Sequence, residues 1–384
     1  MYLIFILLFV GIFSFWLVLK KKNMDIWFFS YIKNVLVRPE VKGPKHVMFC
    51  FVDHYEPQWR NDDLEIERAR VDRWFKDYPL MAEQHKDADG HMPKHCFFYP
   101  EEEYRYEHLA KLSDMCYRGF GEIEIHLHHD NDTPENFTKV MSNFAKTLHE
   151  EHGALPVHPE TGQIMYAFIH GNWALDNSLP GGHMCGIDNE LPLLKDTGCY
   201  VDMTLPSAPS PAQTTKVNSI YYATGKPGGC KAHNDGVDVE VGKAASGDLM
   251  LIQGPLGVAL KWRTPKGLPR IENGDVRKTM PPLKSRVDQW VNSHIHVKGR
   301  PEWVFIKVHT HGTQEADMDT LLGQERHDMH AYLETKYNDK NNYVLHYVSA
   351  REMYNIVKAA EAGESGDPHL YRDFILPKPS FKPL

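Results

Sequence analysis

From Lys45 onward the chain alternates short apolar runs with longer amphipathic stretches. The runs Val47–Val52, Ile123–Leu127, Ile164–Ile169, Cys199–Val201, Leu249–Ile252 and Trp303–Val308 each have the length of a strand. Between them, Leu64–Gln84, Pro134–Glu151 (with Thr133 as its cap), Asn189–Asp196 and Asp317–Tyr337 carry helical periodicity. Strands alternating with helices predict an α/β fold with a mainly parallel sheet and right-handed crossovers, open or closed into a barrel. Residues 216–247, rich in Gly, Lys and Asp, break this rhythm and read as an insertion or hairpin. Pro265–Pro282 reads as a loop, and the Pro-rich tail over 363–384 as an extended or docked segment.

The N-terminus follows a different pattern. Tyr2–Leu19 is uncharged and apolar and ends at Lys20, Lys21 and Lys22. Its length falls just within the roughly 17–25 residues a bilayer-crossing helix needs. Basic residues follow the run instead of preceding it, and no small-x-small site is present, so an uncleaved transmembrane anchor over 1–22 is expected. Lysines on its C-terminal flank predict a single-pass membrane protein with its bulk on the cytoplasmic side. Residues 23–44 then form an interfacial helix or linker, with Asp25–Val37 as either an interface segment or the opening helix of the soluble domain.

Composition narrows the function classes. A net charge of −8 and 24% charged residues describe a globular chain without the basic surplus of a general nucleic-acid binder. The six cysteines show no paired spacing and do not read as a disulfide framework. The 23 histidines matter through their placement. Five apolar runs end in candidate ligands or acid–base groups: Asp53-His54, His128-His129-Asp130, His170-Gly171-Asn172-Trp173, Asp202 and His309-Thr310-His311. In parallel α/β folds the carboxyl ends of the strands share one face, where sites are built.

Each motif carries its own chemistry. Asp53 beside His54 offers a base and a metal ligand from one strand end, or else a helix cap. In Glu124–Asp132, alternation puts Glu124, His126 and His128 on one face, and His129, Asp130 and Asp132 follow at the turn. Imidazoles and carboxylates at this density are a zinc-type ligand set. Gly171 permits close backbone approach and Trp173 offers a sugar-stacking wall or a packed barrel mouth. Asp202 orients a catalytic group or caps a loop. His309 and His311, two residues apart, offer a general acid.

In this order the motifs resemble the polysaccharide deacetylases of carbohydrate esterase family 4, within the glycoside hydrolase/deacetylase superfamily, across about Lys45 to Tyr354. The resemblance implies a distorted (β/α) barrel over 45–362, here preceded by one transmembrane helix. It also implies one divalent metal ion, zinc foremost, and removal of an N-acetyl or O-acetyl group from a saccharide or a lipid-linked or nascent polysaccharide. Carried over, Asp53 is the base. His54, His128 and Asp132 are the metal ligands, with His126 and Asp130 as substitutes. His309, helped by His311, is the acid; His170, Asn172, Trp173 and Asp202 line the substrate. The chain departs from the family where His54 replaces an Asp, Asp132 replaces a His, and His-Gly-Asn-Trp stands for Arg-Pro-x-Gly. The expected partners are the saccharide and the lipid bilayer, with no nucleic acid. Two rival readings remain: a binuclear amidohydrolase-like enzyme, suggested by His-x-His at 126/128 and 309/311, and an inactive saccharide-binding protein using Trp173, Tyr221 or Tyr222.

Overall fold

The computed structural model describes residues 2–260 and 269–384, apart from the side chains of residues 3, 4, 6 and 7. Two helices open the chain, α1 (Tyr2–Lys21) and α2 (Phe28–Leu36). Strands β1 (Lys45–His54), β2 (His95–Pro100), β3 (Gly121–Leu127), β4 (Tyr166–His170) and β5 (Cys199–Asp202) then alternate with α3 (Leu64–Ala82), α4 (Tyr106–Tyr117), α5 (Pro134–His152) and α6 (Glu190–Asp196). The strands β6 (Ile220–Ala223), β7 (Val237–Asp238), β8 (Leu249–Ile252), β9 (Gly257–Ala259) and β10 (Arg270–Glu272) follow. Helix α7 (Lys284–Asn292), β11 (Trp303–Thr310), α8 (Glu315–Leu321), α9 (Gln324–Lys336), β12 (Tyr343–Tyr347) and α10 (Ala350–Ala362) complete the chain's main elements.

Ten strands form one sheet in the order β11-β1-β2-β3-β4-β5-β8-β6-β7, with β12 beside β1. Every pairing is parallel except those of β6, which runs antiparallel to both β7 and β8. Residues 45–49 of β1 pair with β12 and residues 51–54 with β2. Alternation then sorts the side chains. Phe49, Phe51, Phe97, Ile123, Ile125 and Phe168 face outward, packing with Trp74, Leu112, Met141 and Leu194 of the covering helices. Met48, Cys50, Val52, Phe98, Ile169, Val201, Met250, Ile252 and Phe305 face inward and form a second cluster. Strands from distant parts of the sheet share this inner cluster, so the sheet curls around it. The edge strands of the path, β11 and β7, are not joined by a ladder among the described residues. Across the gap, Lys307 Nζ donates to the carbonyls of Met203 and Leu205, 2.6 Å each.

The expected barrel preceded by a membrane span is therefore corrected to a mixed α/β fold with a ten-stranded, mostly parallel sheet. The apolar N-terminal run is helical, yet among the described residues no helix is long and apolar enough to cross a membrane. Helix α1 ends in two lysines, Lys20 and Lys21. The anchor falls, and with it the single-pass membrane location and the cytoplasmic orientation built on it. Lys20 pairs with Asp25 at 2.6 Å, and Trp27 is fully buried against Ala208, Val217 and Leu256.

Other boundaries moved for local reasons. The helix expected over Asp317–Tyr337 is two, α8 and α9, because Gly323 turns extended between them and a side chain there would strike Asp319 O at 2.3 Å. Strands β2 and β12 add to the runs expected from the sequence; each is short and carries one histidine, His95 or His346, both buried. In the expected Pro265–Pro282 loop, residues 265–268 lie outside the described residues and Arg270–Glu272 forms β10. Thr133 caps α5 by accepting from Asn136 N at 3.2 Å.

Candidate metal centre

The carboxyl end of β1 continues past His54 as Tyr55-Glu56-Pro57, so His54 and Glu56 project to the same side, over the inner face. There they meet His126 from β3, His128 just beyond it, and His309 and His311 from the end of β11. Glu56 is 2% exposed and stands at the centre. Its Oε1 lies 3.3 Å from His126 Nε2 and 3.0 Å from His128 Nε2, and its Oε2 lies 3.2 Å from His311 Nδ1. The His54 ring sits 4.8 Å from that of His126 and 4.6 Å from that of His311, between ring centroids.

The outer nitrogen fixes the tautomer of His126. His126 Nδ1 lies 2.9 Å from the Ile169 carbonyl, an acceptor, so Nδ1 carries the proton and the Nε2 lone pair faces Glu56. His128 lies between two carboxylates, Nδ1 2.5 Å from Glu102 Oε1 and Nε2 3.0 Å from Glu56 Oε1, and without a cation it carries a proton on each nitrogen. The His126 lone pair and a Glu56 oxygen thus point at one another, which is repulsive unless a proton or a cation lies between them. Imidazoles backed by a carbonyl or a carboxylate are the usual support of metal ligands. His54, Glu56 and His126, all buried, place one donor atom each within 4.8 Å of the others and are able to hold a metal ion.

The charges agree with this geometry. Burial pushes Glu56 up, but the imidazoles of His126, His128 and His311 against it outweigh burial and hold the carboxyl well below its ordinary range. Burial also opposes charge on His128 and His311, but Glu102 and Glu56 carry His128 up to about 10 and Glu56 raises His311. Burial and the neighbouring imidazoles keep His54 well below its ordinary value; burial is the leading cause for His126 and His309 as well. The side chain of His128 is 31% exposed and that of His311 18%, so the cluster opens on that side. Trp173 stacks on His54 at 5.0 Å and Trp59 tilts over His311 at 5.8 Å, so two aromatic faces flank the opening.

The other sequence candidates lie elsewhere. Asp53 points to the outer face of β1, fully buried, with Oδ2 2.8 Å from His95 Nε2 and Oδ1 accepting from Gly312 N at 2.6 Å. Burial raises it to about 7. Asp132 does not join His54 and His128. It accepts from Thr133 N and Asn136 Nδ2, and its Oδ2 lies 3.2 Å from His129 Nδ1. Asp130 accepts from the amides of Asn131 and Met184. Both carboxylates sit where the chain has already turned away from β3, so they fasten loops. Asp202 holds the turn after β5 through Thr204 N and Oγ1, at 3.0 and 2.7 Å, and burial raises it to about 7. His170 meets His129, their Nε2 atoms 2.9 Å apart, and Asn172 Nδ2 reaches the carbonyls of His129 and Met184. Tyr221 and Tyr222 are buried, their hydroxyls donating to His233 O and Glu361.

Glu56 and Glu102 were missed in the sequence. Glu56 carried a usable signal, since it stands two residues after His54 and shares its face. Glu102, in the Glu101–Glu103 turn after β2, carried none, because only the sheet order puts that turn beside His128. Buried groups able to hold a metal ion are thus present, though with Glu56 and His126 beside His54 in place of His128 and Asp132. No family model matches this chain, and no curated protein matches it.

Proposed function

We propose that the chain is a metal-dependent hydrolase removing an N-acetyl or O-acetyl group from a saccharide. The observation that carries this reading is the buried grouping of His54, Glu56 and His126, with the His126 lone pair turned on the Glu56 carboxylate, an arrangement a cation relieves. His54, Glu56 and His126 would hold one divalent ion, with His128 at the rim. Nitrogen and oxygen donors of this kind suit zinc. When bound, such an ion polarises an acyl carbonyl and makes its water acidic.

The chain's own groups supply the remaining steps. His311 keeps its proton through Glu56 and stands at the open side, placed to donate that proton to a departing amine or alcohol. Asp53 grips Gly312 N from behind and so positions the turn that carries His311. His309, buried and neutral, packs edge-on against Trp173 at 5.1 Å and closes the back wall. Trp59 and Trp173 present flat faces to a sugar ring. The acetylated saccharide is favoured by these two faces and by the motif order of the polysaccharide deacetylases.

The test is acetate release from a panel of acetylated oligosaccharides, with the full chain metal-replete and after chelation. Metal-dependent release, lost in Glu56→Gln and His126→Ala, is expected. Release untouched by either substitution overturns the assignment of the site. Tight saccharide binding without release overturns the assignment of the reaction.

A further inference from the structure

Behind the Glu56 cluster lies a second group of ligands that the proposed reaction does not use. His129, from the turn after β3, and His170, at the end of β4, meet Cys185 and Glu190, from the loop and helix start that follow. One donor atom of each lies within 4.8 Å of all the others. His129 Nε2 is 2.9 Å from His170 Nε2 and 3.3 Å from Glu190 Oε1, and Cys185 Sγ is 3.7 Å from Glu190 Oε2. Zinc bonds of about 2.0–2.3 Å give a tetrahedron with edges of roughly 3.3–3.8 Å, so these separations are those of a ligand shell drawn slightly inward. His170, Cys185 and Glu190 are fully buried and the His129 side chain is 6% exposed.

Hydrogen bonds alone leave this cluster unsatisfied. Glu190 Oε2 accepts from Asp176 N at 2.6 Å, but Glu190 Oε1, out of contact with water, accepts no hydrogen bond. Without a cation, the best arrangement has His170 Nε2–H donating to His129, with its Nδ1 accepting from Asn172 N at 3.2 Å. In that arrangement Glu190 Oε1, buried away from water, has no donor. A cation at the centre satisfies Glu190 Oε1, both Nε2 atoms and the sulfur together, with the Asn172 amide turning aside. Asp132 Oδ2, 3.2 Å from His129 Nδ1, is the outer carboxylate that such a histidine uses.

We infer that His129, His170, Cys185 and Glu190 form a second, closed metal site that takes a zinc-type divalent cation and clamps the loop between β4 and α6. Cys185 loses its thiol proton to solvent as the metal–sulfur bond forms, and the ion undergoes no redox change. Four protein ligands leave no open position, which marks a structural site. The loop it holds needs holding. Trp173, Asp176, Asn177, Met184 and Asn189 all adopt positive φ, and a side chain on Gly186 would strike the Asn131 and Asp132 backbone at 2.6–2.9 Å. Trp173, which stacks on His54, rides on this loop, so the second ion shapes the wall of the first centre.

The experiment loads the full chain with Co²⁺ and records metal content and the near-ultraviolet thiolate-to-cobalt charge-transfer band. The wild type is expected to hold two equivalents and show the band. Cys185→Ser is expected to lose the band and one equivalent, and Glu190→Gln to weaken the same site. His126→Ala is expected to lose one equivalent and keep the band, which separates this site from the one proposed for hydrolysis. The wild-type spectrum decides the case even if a variant fails to fold. A folded wild type that binds cobalt without a thiolate band, or whose content Cys185→Ser leaves unchanged, overturns the inference.

Discussion

On the inner side of the β1 carboxyl end, His54 and Glu56 face His126, whose lone pair is turned on the Glu56 carboxylate. On the outer side, one residue away, both oxygens of Asp53 have donors, His95 and Gly312. Arg326 donates to His95 Nδ1 at 3.2 Å, so His95 carries its proton on Nε2 and donates it to Asp53, while Gly312 N fills the other oxygen. Both regions are buried and rich in ionisable groups, and burial perturbs pKa values in both. Perturbed titration therefore does not separate a site from a scaffold here. The direction of lone pairs does: where donors and acceptors match, the cluster is complete, and where acceptors meet acceptors, a cation is called for.

The contrast is broken most severely by removing Glu56 or His126. Replacing outer partners of metal ligands lowers affinity about 10–100-fold, so loss of a ligand is expected to cost at least ~100-fold. Metal content of Glu56→Gln and His126→Ala after dialysis measures this. Retention of tightly bound metal by both variants at one equivalent below wild type or less would fit the model; full wild-type content would place the ion elsewhere.

The outer face responds differently. Asp53→Ala strands two buried donors, His95 Nε2–H and Gly312 N–H, each worth about 1–3 kcal/mol, so unfolding free energy is expected to fall by roughly 2–6 kcal/mol. Metal content in the folded variant should be unchanged. A variant that keeps its stability in urea but loses its metal would move Asp53 to the inner side of the comparison.

Much of this contrast was legible from residue order. Alternation along a strand ties His126 to His128 and separates Asp53 from His54, and the clustering of strand-end imidazoles needed only a parallel sheet. What the chain did not display were contacts made by sheet order and by loops. Glu102 reaches His128 because β2 lies beside β3, and the short aromatic run of β2 carries no sign of that order. Cys185 and Glu190 reach His129 and His170 through a loop whose path depends on five non-glycine residues at positive φ. Asp132 misled for the opposite reason: spacing placed it near His128, but the turn at Asn131, with φ of 50°, carries it away. At the N-terminus, hydropathy described the composition of α1 without deciding what covers it.

A milder test concerns the partner of His128. Glu102→Gln keeps the shape but withdraws the negative charge behind Nδ1. Metal affinity at the Glu56 centre is expected to drop about 10–100-fold, and competition with a chelator of known affinity reads it. The variant should leave global stability nearly untouched, because Glu102 sits at the surface end of the cluster, its side chain 35% exposed. Unchanged affinity would mean that His128, at the rim, takes no share in the ion.

The smallest expected effect lies on the inner face away from any ligand. Lys307 is fully buried, and burial lowers it to about 7 despite Asp202 nearby. A neutral amine has two N–H groups, and two carbonyls, Met203 and Leu205, await them at 2.6 Å. Between pH 7 and the ordinary lysine value of 10.5, the unfolded chain binds more protons here than the folded one, so this residue makes stability rise with pH. The slope reaches at most about 1.4 kcal/mol per pH unit, one proton's worth. Below pH 7 both states are protonated and the contribution is flat. Lys307→Met removes the slope, so the stability of wild type relative to this variant should grow in urea titrations run at successively higher pH from 7 to 9. A constant difference would mean the ammonium persists inside the curled sheet, and the inner face would then tolerate uncompensated charge, removing the premise on which the Glu56 cluster calls for a cation.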